Sequence, residues 1–159
     1  MSIIGNFGLC SQKDYHCLVD FIKNNQLEEA ENLMQKIAEG FEESSELLND
    51  SRCSGEVYIA VFDYLKEREG IDVRKNEDVK KVSELWRKVI GGYEMIAFAE
   101  EEKEQLLSRE NTINYPDVIQ YVNDFFAYDY EDFGQAVCED LLGNLGKTEE
   151  GNILIWWEC

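Results

Sequence analysis

The sequence predicts a helix-dominated α+β fold, with about six to seven helices packed on a small sheet of about three short strands. Three observations predict it. Apolar residues recur at a helical period over most of the chain. Three short segments, rich in β-branched and aromatic residues, break that period. The chain of 159 residues is 44% hydrophobic and 12% aromatic with a single Pro, so it can bury a core and contains no low-complexity linker. One compact domain over residues 1–159 is expected.

The elements follow in order. Ile3-Ile4-Gly5-Asn6-Phe7 has strand length and content. Ser11 suits an N-cap with Asp14 at the third helical position, and Tyr15, Leu18, Phe21 and Ile22 form the apolar stripe of the helix that follows. A second helix is expected from Leu27 to Leu48, with Ala30, Leu33, Met34, Ile37, Phe41 and Leu48 inward and a face of glutamates outward. A third runs from Ser54 to Gly70. Its apolar residues Val57, Tyr58, Ile59, Ala60, Val61, Phe62 and Leu65 leave little polar face, which predicts burial on most sides. Asn76 caps a fourth, acidic in its first turn, that Gly91-Gly92 stops. Tyr93–Phe98 reads as a strand, Glu100–Ser108 as a short helix. Pro116 opens another helix with Val118, Ile119, Val122, Phe125 and Phe126 inward. A last helix is expected over Glu131–Leu142, and Asn152–Trp157 as the final strand. Strands need partners for their backbone groups, so the three are expected in one sheet.

Charge narrows function more than any motif. Thirty-four Asp and Glu oppose 15 Lys and Arg, a formal net charge of -19. Residues 66–88 hold the only basic stretch, while no base lies between Arg109 and Lys147. Such a chain repels phosphate backbones and anionic lipid surfaces, so neither nucleic acid nor membrane is an expected partner. A basic protein is. No signal peptide or apolar span is visible, and the five cysteines are odd in number without a C-x-x-C pair. A cytoplasmic chain with reduced thiols is expected.

Catalytic chemistry finds little footing. His16 is the only histidine, and its neighbour Cys17 points about 100° away on a helix. One histidine cannot build a di-iron bundle site, and dispersed cysteines do not suit zinc. Asp129-Tyr130-Glu131-Asp132-Phe133-Gly134 departs from a calcium loop at its third and fifth positions, where ligands are required. Neither cofactor nor metal is expected, nor is the chain expected to be an enzyme.

The stretch from Tyr115 to Asp140 interleaves aromatics with acids. Tyr128-Asp129-Tyr130-Glu131-Asp132 is too short and polar to be all core, so a tyrosine is expected in the open among carboxylates. Tyrosine anchors ringed by acids suit lysines or arginines of a partner. Asp124, Asp129, Glu131 and Asp132 are the candidate charge contacts and Tyr128 and Tyr130 the candidate anchors. The competing reading is an acidic helix connection whose tyrosines cover the core edge. The helix face bearing Glu39, Glu42, Glu43 and Glu46 is a second candidate.

With that acidic aromatic stretch and the Trp156-Trp157-Glu158 end, the chain resembles bacterial toxin-immunity proteins, the antidotes to contact-dependent and polymorphic toxins. The opening Met1–Phe7 is similar to that of the YfbM-like family of uncharacterised bacterial proteins, without a counterpart of that family's central Trp-containing segment. The first resemblance implies a binding inhibitor that neutralises a cognate basic toxin, a nuclease, by covering its active site, working as a monomer or weak homodimer. An enzyme with a scattered carboxylate or divalent-metal site and a self-associating adaptor domain are the alternatives.

Overall fold

A computed structural model of the chain describes residues 4–41, 47 and 55–159. Among them the elements run β1 (Gly5–Ser11), α1 (Gln12–Lys23), α2 (Leu27–Gly40), α3 (Gly55–Glu69), α4 (Glu77–Val89), β2 (Glu94–Phe98), α5 (Glu100–Leu107), α6 (Tyr115–Phe125), α7 (Phe133–Lys147) and β3 (Asn152–Glu158). The fold is α+β and helix-dominated. Local chemistry sets several boundaries as expected. Ser11 Oγ accepts from the Asp14 amide at 3.0 Å, and Asn76 Oδ1 from the Asp78 amide at 2.8 Å. Asn114 caps α6 in the same way, accepting from the Asp117 amide at 3.2 Å.

Other boundaries differ. β1 extends past Phe7 to Ser11 because Gly8, Leu9 and Cys10 continue the ladder to β3. α2 ends at Gly40, and the remainder of its expected length, including Leu48, lies outside the described residues, as do Ile3, Cys53 and Ser54. α7 starts at Phe133 and continues beyond Leu142 to Lys147. Leu145 and Asn144 are fully buried there, and that burial outweighs the roughly 1 kcal/mol cost of each helical glycine, Gly143 and Gly146.

The three strands form one antiparallel sheet in the order β1-β3-β2. The central strand carries Ile153, Leu154, Ile155 and Trp156, all buried, so the sheet is covered on both faces. Trp156 meets Tyr58 and Phe62 of α3, while Trp157 stacks on Phe41 and lies beside Trp86 of α4. α3 is thus held between the sheet and the pair α6–α7, which explains its nearly all-round apolar sequence. α4 shields the free edge of β2, where Ser83 Oγ accepts from the Met95 amide at 3.3 Å.

The turn after α4 is close-packed. Gly91 has φ 78°, which favours glycine, and a Cβ on Gly92 would lie 2.2 Å from Trp86 Nε1 and 2.8 Å from the Glu158 carbonyl oxygen. Gly92→Ala should therefore destabilise the fold by about 3 kcal/mol, at the top of the overpacking range. A urea midpoint unchanged from wild type would contradict this packing.

At the same end of the sheet Glu94 and Glu158 are register partners. Arg74 makes a two-pronged ion pair with Glu94 and lies 5.4 Å over the Phe62 ring. Burial pushes the Glu158 carboxyl up from 4.5 to about 7; the Glu94 charge adds to this, and Arg74 opposes it. The fold thus favours the neutral acid. Its contribution to stability is complete below pH 4.5 and is lost as pH rises through about 7. Glu158→Gln should remove a loss of about 2 kcal/mol between roughly pH 5 and pH 8. Urea titrations of both proteins at the two pH values test this, and parallel pH dependences would refute it.

Candidate functional site

The acidic aromatic stretch folds into one corner of the molecule, formed by the end of α6, the turn 126–132 and the start of α7. Two residues in this turn, Ala127 (φ 49°) and Glu131 (φ 54°), adopt the left-handed conformation without being glycine. Asn123 holds them in place. Its carboxamide oxygen accepts from the Tyr130 amide at 2.9 Å, its Nδ2 donates to the Glu131 carbonyl at 3.3 Å, and its own carbonyl accepts from the Tyr128 amide at 3.1 Å. Asp129 Oδ1 accepts from the Glu131 amide at 2.8 Å. These bonds fix the shape of the turn.

Three aromatic rings stand in solvent at this corner: Tyr128 is 64% exposed, Phe125 43% and Phe133 41%. Tyr128 lies 4.8 Å from the ring of Tyr130, which packs against the core edge and donates its hydroxyl to Glu56 Oε2 at 2.7 Å. Around them Asp124, Asp129, Glu131 and Asp132 are all exposed, and none carries an ion pair among the described residues. Elsewhere several bases are engaged in ion pairs. Arg68 pairs with Asp117, Arg74 with Glu94 and Lys88 with Glu31, so three of the eight bases of the stretch 66–88 are tied to acids outside it, and Lys80 pairs with Glu77 within it. A groove lined by Arg68, Asp117, Gln120, Tyr121, Asp124 and Phe125 adjoins the corner. Its Tyr121 hydroxyl is held by Asp63, and that hydrogen bond, then burial, pushes it up to about 12.

The six candidate residues are thus brought together. Phe125 was expected inward and is exposed: it is the last residue of α6, where the chain turns away from the core before its stripe position can be covered. Phe126 is the partly buried residue that packs in its place. Of the second candidate face only Glu39 falls among the described residues; Glu42, Glu43 and Glu46 lie outside them.

His16 is exposed on α1, and Cys10 and Cys138 are buried, with burial pushing both thiols up to about 12. Among the described residues no group of three or more His, Cys, Asp or Glu could hold a metal ion, and no helix is long and apolar enough to cross a membrane. No protein-family model, curated protein or solved structure matches this chain.

Proposed function

We propose that the chain is a protein-binding inhibitor of the immunity type, which neutralises a basic toxin, a nuclease, by laying the corner around Tyr128 over the toxin's cationic substrate groove. The observation that carries this reading is the set of four exposed carboxylates, Asp124, Asp129, Glu131 and Asp132, without an ion pair among the described residues, ringing three exposed aromatics on a turn fixed by Asn123. Carboxylates speed encounter with a positive surface, and exposed rings on a pre-shaped turn hold it with little ordering cost. A nuclease groove built for phosphates offers the matching charge. Two copies of this chain meeting at the same corner would oppose four carboxylates with four more, which disfavours self-association there.

Capture from the native cell tests the proposal. The tagged chain, washed at low salt, should retain one basic protein in equal amount and release it in a salt step. Replacing Asp129, Glu131 and Asp132 together by Ser should weaken the retention about tenfold or more. Capture undiminished by the triple replacement would place the binding face elsewhere.

A further inference from the structure

A groove of about 340 Å³ lies between the α1–α2 connection and α4. Its apolar lining is Ile22, Leu27 and Leu85, and Leu27 is 42% exposed. Lys23, Lys81, Lys88 and Glu84 complete the lining, three bases to one acid. Glu84, Leu85 and Lys88 follow Lys81 by three, four and seven positions, so the four share one face of α4. The basic character continues beyond the groove. Residues 80–88 carry Lys80, Lys81, Arg87 and Lys88 against Glu84 alone, all five exposed, a local reversal of sign in a chain of net charge -19. Lys81 has no ion pair among the described residues. Lys23 and Lys88 meet Asp78 at 3.2 Å and Glu31 at 3.1 Å, in pairs exposed enough to change partners at little cost.

The complement of an apolar groove rimmed by ammonium groups is a surface of exposed rings among carboxylates, and the chain carries one. At the acidic corner Phe125, Tyr128 and Phe133 stand in solvent beside Asp124, Asp129, Glu131 and Asp132. Helical rise sets Lys81 and Lys88 about 10 Å apart along α4, too far for one carboxylate to serve both. The corner offers several. Among the described residues no ion pair joins the two surfaces within one chain. The net charge opposes any contact between copies, but charges farther apart than about 8 Å are largely screened at physiological salt, so the surfaces that touch decide. We propose that a second copy of this chain covers the groove, its corner laid on α4 with Tyr128 over Ile22, Leu27 and Leu85 and its carboxylates against Lys81 and Lys88. This contact uses the exposure of the corner and not the toxin proposed for it. Contact of corner on α4 also avoids the clash of acids that corner on corner would bring.

Amide NMR of the full chain, diluted from about 1 mM at physiological salt, tests this. Concentration-dependent shifts should fall together on residues 22–27, 81–88 and 124–133. The double variant Lys81→Glu, Lys88→Glu should weaken self-association about tenfold or more, and so should replacement of Asp129, Glu131 and Asp132 together by Ser. All five replaced residues are exposed, which keeps both variants folded. The Ser variant is the sharper of the two, because it lowers the net negative charge and relief of general repulsion alone would strengthen association. Mixing the two variants leaves one intact contact, the corner of the first on α4 of the second, and should produce a heterodimer where neither variant associates alone. Shifts independent of concentration up to about 1 mM, tighter association of the Ser variant, or a mixture that stays monomeric would overturn the proposal. The dilution needs no partner, so its failure is separate from a failure to capture a toxin.

Discussion

Trp156→Ala should be the most damaging single truncation in this chain, costing about 3–5 kcal/mol. The indole is fully buried at the centre of β3, edge-on to Phe62 at 5.0 Å and tilted against Tyr58 at 5.4 Å. Removing it opens a cavity between the sheet and α3, the two layers that the rest of the core is built on. A loss of this size is a large share of the roughly 5–15 kcal/mol by which natural domains are stable. Trp156→Phe should cost much less, because it keeps a ring in place and removes an indole N–H that has no acceptor among the described residues. Urea unfolding should show a lower midpoint for the alanine variant with an unchanged slope. Equal costs for alanine and phenylalanine would mean that the ring contacts do not hold the layers together.

Tyr128→Ala should weaken binding of the basic partner by about 2 kcal/mol, roughly thirtyfold, with most of the change in the dissociation rate. Its ring is the most exposed aromatic of the corner and is backed by Tyr130, whose hydroxyl is tied to Glu56. The charge variant should behave differently. Replacing Asp129, Glu131 and Asp132 by Ser should slow association about tenfold or more and flatten its salt dependence, because long-range attraction acts before contact. Surface plasmon resonance on the captured partner separates the two effects. An alanine variant that changes only the association rate would show that Tyr128 is no anchor.

Much of the fold was legible because it is written locally. Caps at Ser11 and Asn76 are short-range chemistry, and the all-round apolar pattern of α3 reports its place between two layers. The central position of β3 had a signal as well: its run from Ile153 to Trp157 lacks the alternation of a half-exposed strand. Ends set by tertiary burial were not legible. α7 runs through Gly143 and Gly146 because Leu145 reaches the core, which no propensity reveals. For the candidate site, composition marked the acids, but which rings face solvent depends on left-handed turns at Ala127 and Glu131, residues that do not advertise them.

The most direct test of the central claim is a titration of the captured basic protein's nuclease activity with this chain. Activity should fall to zero at one chain per nuclease, and the Asp129, Glu131 and Asp132 triple Ser variant should need a large excess to do the same. Full nuclease activity in the presence of saturating chain, or equal inhibition by the triple variant, would contradict the account.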